Sequence, residues 1–310
     1  MGKPRYVGFW ISFLYSVFLK LSDIAEEFLN SKNDPEKMQN FVNSWLAETW
    51  EDTQLKTSEE LVMERRTELD EFIIPQWARI LTAGVDVQET SLYYTIRAYG
   101  EHTTSQNITH GQVLSFAEIE QVMDSEFKTE DGRTMMVNLA LIDSGFQADN
   151  TYDFCIDHAD WARPCKGASN PMAGRYKISK VDKLDSRAYG MELVWVDGDK
   201  YKDSIASRMR RKNGRGSWMV YKDCDEEYAR QVTAEHKVFA KAANGKRVLR
   251  WVLKHSHAAN HYLDCEVYSM AAAEMLGVRV MHLQAGAPEQ KQTQSRPPEP
   301  YAPEEGWIQE

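Results

Sequence analysis

The sequence lacks the means to fasten itself covalently. Its four cysteines, Cys155, Cys165, Cys224 and Cys265, include no CxxC pair. Four thiols spread across 310 residues do not make a disulfide framework, and reduced thiols in a cytoplasm are the plainer reading. Positive charge is also short: 37 Lys and Arg against 47 Asp and Glu leave a formal net charge of -10. Such a chain repels a polyanion, so any contact with nucleic acid needs a local basic patch or bound cations that reverse the local sign. No GxxxxGK[ST] loop is present, which excludes a P-loop nucleotide site within these residues. No internal repeat is evident. Long hydrophobic runs are missing too. Lys3 and Arg5 ahead of the apolar residues 6–19 imitate a signal peptide. That run is short for a membrane span, is aromatic-rich, and leads into Asp23, Glu26 and Glu27 without a clear small-x-small cleavage site. A chain without membrane association is expected.

Aromatic residues, by contrast, are plentiful. Nine Trp, 14 Tyr and 11 Phe within a 42% hydrophobic chain can build a sizeable core, which excludes disorder throughout. Three regions follow from the patterning. Residues 1–75 read as helices and a charged linker. Leu21, Ile24, Phe28 and Leu29 form one helical stripe, and Met38, Phe41, Val42, Trp45 and Leu46 form another over residues 35–49. Residues 50–75 are strongly charged and read as a solvated helix and linker ending near Pro75. Residues 76–284 carry the globular pattern. Residues 285–310 are rich in Pro, Gln and Glu and read as a disordered tail.

Within the globular region, residues 80–88 form a short apolar strand, residues 91–99 alternate as a second strand, and a third lies within 104–114. Ser115 and Glu118 form a capping box for the next helix. The continuous apolar run 135–142 predicts a buried central strand. A helix over 151–158, a strand over 163–168 and a strand over 193–196 come next, then a basic helix through Lys202, Ile205, Arg208 and Met209. Residues 218–221 and 247–253 are strand-like, with a charged helix between them. Leu263, Val267, Met270 and Ala271 make residues 260–275 an amphipathic helix, stopped at Gly277. This order predicts a mixed α/β sheet with helices on both faces.

Three aspartates stand at boundaries of apolar elements: Asp86, Asp143 and Asp264. Singly, each could be a turn or cap residue. Together they read as a convergent set of hard oxygen ligands for divalent cations, with open positions for water and a phosphate. A competing set, His257, His261 and Cys265 at i, i+4, i+8, is compatible with zinc but lacks a fourth ligand and suits a soft ion. His261 is better read as an orienter of the acidic cluster. Glu266 lies two residues from Asp264 and points away from it on a helix. Lys202, Arg208, Arg210 and Arg211, in a basic stretch running to Arg215, are candidates for backbone phosphate contacts, with a solvated helix face as the plain alternative.

Several segments carry a resemblance: GFWISFLYS (8–16), FVNSWLAETWE (41–51), TAGVDVQ (82–88), LIDSGF (141–146), the pair Lys166-Gly167, and NHYLDCEVYSMAAA (260–273). The chain resembles the nuclease part of tailed-phage large terminase subunits of the lambda-like GpA family. The resemblance implies a ribonuclease H-like fold over 76–284. It also implies a metal-dependent endonuclease that cuts concatemeric double-stranded viral DNA in the host cytoplasm. Asp86, Asp143 and Asp264 would be the catalytic ligands of two Mg2+ or Mn2+ ions, and Lys166 a contact to the scissile or flanking phosphate. The implied partners are DNA, the terminase small subunit, the portal protein and an ATPase motor domain of the same full-length chain, of which residues 1–75 would be the end. His261 stands where the family often has Glu. Other readings are a resolvase- or transposase-type ribonuclease H-like nuclease, or a non-catalytic packaging module that docks on the portal.

Overall fold

The computed structural model describes residues 11–32, 35–48, 57–241 and 247–284. The tail 285–310 and the first part of the linker expected over 50–75, residues 50–56, lie outside the described residues. The first elements are α1 (Leu21–Ser31), α2 (Pro35–Asn40) and α3 (Glu59–Met63), followed by the short β1 (Ile73–Ile74). Then come β2 (Ile80–Val87), β3 (Leu92–Tyr99), β4 (Ser105–Val113), α4 (Phe116–Met123), β5 (Phe127–Thr129) and β6 (Thr134–Met135). The middle holds β7 (Leu139–Asp143), α5 (Ala148–Asp157), β8 (Ala162–Gly167), β9 (Tyr176–Lys180), β10 (Glu192–Val196) and α6 (Gly198–Met209). The chain closes with β11 (Trp218–Met219), α7 (Glu226–Val232), β12 (Glu235–Lys241), β13 (Arg247–Leu253), α8 (His261–Met275) and α9 (Met281–Gln284).

Among the described residues the main sheet runs β11-β4-β3-β2-β7-β8-β10-β9. The meander β2, β3, β4 is antiparallel, β7, β8 and β10 run parallel to β2, and β9 is an antiparallel edge. This is the mixed α/β sheet with helices on both faces that the sequence predicts. The strand β2 is buried along almost its whole length because both faces are covered. Leu81, Ala83, Val85 and Val87 enter a core with Ile119 and Met123 of α4, while Leu139, Leu141, Val194 and Val196 on the opposite face pack with α6, α7 and α8. Each fully buried Val, Leu or Met contributes roughly 1.5–3 kcal/mol.

Several expectations shift. The apolar run 135–142 is not one strand: it divides into β6 and β7, and Asn138 between them exchanges two 2.8 Å hydrogen bonds with the backbone of Leu81. The helix α8 is not amphipathic. Nearly all of it is buried, since the sheet covers one side and α6 and α7 the other. The charged stretch before Pro75 is no solvated linker from residue 57 onward. Val62 is fully buried in the core, Arg66 forms a bridge to Val220, and the Arg65 and Arg66 side chains donate to the carbonyls of Arg211 and Cys224. Between residues 221 and 247 the chain forms both α7 and β12, and β12 pairs with β13 as a separate hairpin. Earlier, α1 and the turn over residues 41–45 pack through Phe28, Phe41 and Trp45. Among the described residues no helix is long and apolar enough to cross a membrane.

Candidate active site

Strand register builds the first half of the site. Val85 of β2 lies opposite Ile142 of the parallel β7, so the next residues, Asp86 and Asp143, end neighbouring strands side by side. Adjacent strands lie about 4.8 Å apart. Alternation along β2 puts Thr82, Gly84 and Asp86 on the face that α8 covers. The helix can sit directly on the strand because position 84 has no side chain: a Cβ there would fall 2.0 Å from the carbonyl oxygen of Cys265. The Thr82 hydroxyl donates to the Ser269 carbonyl at 2.8 Å and fixes the helix along the strand. The first turn of α8 is thereby carried over the strand ends.

That turn supplies the second half. The His261 Nδ1 lies 2.8 Å from Asp86 Oδ2, and its ring stacks on Tyr93 at 4.3 Å. Gln88 Nε2 donates to the same Asp86 oxygen at 2.8 Å. Asp264 has its two oxygens held separately, Oδ1 by Lys202 Nζ at 3.4 Å and Oδ2 by Asn260 Nδ2 at 3.1 Å. Both donors also reach Glu235 Oε1, at 2.6 and 2.8 Å. Asp143 accepts from the Tyr268 hydroxyl and the Gly145 backbone N–H, each at 3.3 Å.

The three aspartates feel one another. Burial, then the charges of Asp86 and Asp264, raise the Asp143 carboxyl to about 6, against the hydrogen bonds from Gly145 and Tyr268. Burial raises Asp264 to about 6 as well; Lys202 opposes this, while Asp86 and Glu235 add to it. For Lys202, burial disfavours the charge, but Asp264 and Glu235 outweigh it and raise the ammonium's pKa. Among the described residues no three His, Cys, Asp or Glu side chains close into a metal-ready cage. The carboxylates share an edge, but each is turned to a protein partner. Beside them opens a cleft of about 460 Å3, lined by residues 167–171, Lys200, Lys202, Arg250, Trp251, Asp264 and Tyr268.

The basic residues predicted from sequence fall elsewhere. Lys166 follows Cys165, which pairs with Asp143 and packs on the α8 face, so strand alternation turns Lys166 to the other face, in a cleft with Asp149, Tyr152, Lys183 and Trp195. It does not share the aspartates' face. Lys202 is at the site, but it is engaged by two carboxylates and its side chain is only 12% exposed, so it is not an open phosphate contact. Arg208 is a brace: its Nη1 donates to the carbonyls of His102, Thr103 and Gly216. Arg210 and Arg211 lie at the far end of α6. That helix starts at the active edge of β10 and runs back about 18 Å at 1.5 Å per residue. The basic loop thus reaches the edge where β11 pairs with Ser105, opposite the aspartates. The zinc set does not assemble: His257 lines a cleft with Glu60, Glu227 and Lys254, and Cys265 Sγ donates to the Tyr93 carbonyl.

Glu235, Asn260, Tyr268 and Tyr93 were not singled out from sequence. Asn260 and Tyr268 carried a usable signal, standing four residues either side of Asp264 and therefore on its helical face. Glu235 carried none, being one acid in a charged stretch.

Comparison with known proteins gives the family. The family described as "Terminase large subunit gpA, endonuclease domain" matches residues 6–284. The chain is 26% identical over 286 residues to the terminase large subunit of Escherichia phage lambda, and 27% identical over 287 residues to that of Enterobacteria phage P21. Each match covers 87% of this chain and 44% of the relative, so the chain spans a little under half the length of these proteins. The crystal structure of the HK97 bacteriophage large terminase aligns over 83% of this chain and 52% of that one, at 13% identity and a TM-score of 0.40. Since the family match takes in the whole sheet, all three aspartates and α8, the chain belongs to the terminase large subunit gpA endonuclease-domain family.

Proposed function

We propose that this chain is a metal-dependent DNA endonuclease of phage genome packaging. It hydrolyses phosphodiester bonds of concatemeric double-stranded DNA with two divalent cations, Mg2+ or Mn2+, held by Asp86, Asp143 and Asp264. The observation that carries the reading is the gathering of these carboxylates at one sheet edge, where Asp143 and Asp264 are both raised to about 6 by burial and like charge. The donor set is all oxygen, which suits a hard cation, and its self-repulsion is what such a cation would relieve. Bound there, the ions would activate a water and stabilise the leaving oxygen.

The surrounding residues then have defined tasks. His261 and Gln88 orient Asp86, Asn260 and Lys202 orient Asp264, and Tyr268 orients Asp143. A chain of net charge -10 meets DNA through those cations and through local basic groups. The exposed loop 211–215 serves as a backbone contact remote from the cut, with Arg210 beside it. In the host cytoplasm, sequence choice falls to the small terminase subunit, docking to the portal protein, and delivery of DNA to an ATPase motor domain of the full-length chain.

The test is nicking of supercoiled plasmid with Mg2+ or Mn2+. The unaltered chain is expected to nick, and chelation, Asp86→Asn or Asp143→Asn to reduce nicking to background with the circular dichroism spectrum unchanged. Full activity in both variants overturns the assignment.

A further inference from the structure

The arrangement around Asp264 is asymmetric in a way that simple orientation does not require. The Lys202 ammonium stands between two carboxylates but is drawn to one of them, 2.6 Å from Glu235 against 3.4 Å from Asp264. Glu235 is 5% exposed, and its other partner, Asn260 Nδ2, also bridges to Asp264. Lys202 and Glu235 therefore form a nearly dry pair, while Asp264, 31% exposed, is left with a long ionic contact and one amide hydrogen bond. These groups come from three elements, α6, β12 and α8, so no local turn explains their meeting.

We propose that Lys202 is a resident counter-cation of Asp264, kept half withdrawn by Glu235, and that this pair sets how readily Asp264 accepts a divalent ion. This rests on the metal-centre reading above and adds a residue pair that tunes it. An ammonium 3.4 Å from a carboxylate competes directly with any other cation for that oxygen. Glu235 weakens the competition by holding the ammonium on its own side. If Glu235 loses its charge, Asp264 is the carboxylate left in direct contact with Lys202, with Asp199 acting on it only at longer range; the contact tightens, and an incoming ion must displace it. If both charges are removed, the competitor is gone and Asp264 is free to bind. Lys202 and Glu235 are positioning residues: they act through Asp264 rather than on DNA.

The experiment is a calorimetric titration of Mn2+ into the 310-residue chain without DNA. Glu235→Gln keeps an oxygen for Asn260 and is expected to weaken Mn2+ binding about tenfold, the scale typical of residues that orient metal ligands. Lys202→Met alone would leave Glu235 buried without a counter-charge and is expected to destabilise the fold, so the decisive variant is Lys202→Met/Glu235→Gln, expected to bind Mn2+ at least as tightly as the unaltered chain. This reversal of sign separates the proposal from a purely structural role, in which both variants weaken binding. Parallel weakening, or no change in either, overturns it. If the unaltered chain takes up no Mn2+, the metal-centre reading fails and the inference with it. If the chain binds Mn2+, Asp264→Asn abolishes uptake and Glu235→Gln leaves affinity unchanged, only the role of Lys202 and Glu235 fails.

Discussion

Two acids two residues apart on α8 meet opposite fates. Glu266 is fully buried and complete: Arg97 Nε lies 2.7 Å from one oxygen, the Trp218 indole N–H donates at 2.8 Å, and the Tyr228 hydroxyl donates at 2.5 Å to the other. Arg97, itself fully buried, also reaches Ser105 Oγ and the Met219 carbonyl and lies over the Trp218 ring. Asp264 is partly exposed, held at longer range, and repelled by Asp86 and Glu235. The difference teaches that burial alone does not separate a structural carboxylate from a candidate ligand. What separates them is unfinished business with the neighbours: Glu266 has a partner for each oxygen and no reason to bind anything, whereas Asp264 has weak partners and like charge nearby.

This contrast can be broken or sharpened by substitution. The largest effect is expected for Glu266→Gln, which leaves Arg97 buried without a counter-charge and destabilises the fold by about 3–5 kcal/mol, read by chemical denaturation. A destabilisation no larger than that of Asp264→Asn would erase the distinction. His261→Ala comes next. Losing the contact to Asp86 is expected to lower nicking about 10–100-fold with the unfolding midpoint little changed. Loss of fold instead would make the Tyr93 stack the histidine's main role.

The smallest effect concerns the protons. Asp143 has a folded-state pKa raised to about 6 from 3.8, so its contribution to stability is fully present below about pH 4 and lost as pH rises through about 6. Asp143→Asn keeps an acceptor for Tyr268 and removes the charge. It is expected to gain about 1 kcal/mol over the unaltered chain at pH 8, discounted for partial exposure, and nothing at pH 4. Equal stability at pH 8 would show that the trio is not electrostatically strained.

Much of the fold was legible because burial on both faces writes itself as unbroken apolar sequence, as in 80–87; the alternation over 92–99 also marked a strand, although its polar positions Thr95 and Arg97 prove to be buried as well. The three aspartates were legible for the same reason: each interrupts or ends an apolar element. The basic residues were not, because charge does not reveal direction. Lys166 is one residue from a site-facing position and so on the wrong face, and the 208–215 run is separated from the site by the length of a helix. β13 was legible over 247–253, but Glu235 and its strand β12 escaped notice because a charged strand outside the main sheet lacks the apolar run or clean period that betrays a strand in a core. Residues 57–74 misled in the opposite sense: many charges, yet Val62 and the backbone contacts of Arg65 and Arg66 tie them down.

Gly84 has one more bearing on how such a protein can change. Helix α8 meets β2 backbone against backbone, with the Cys265 carbonyl where a Cβ would stand. The separation between helix-borne and strand-borne acids is therefore a ruler cut in main chain, indifferent to which side chains fill the core around it. Sequence drift can replace most of those side chains without altering the gauge of the site, while a single added methyl at position 84 would reset it.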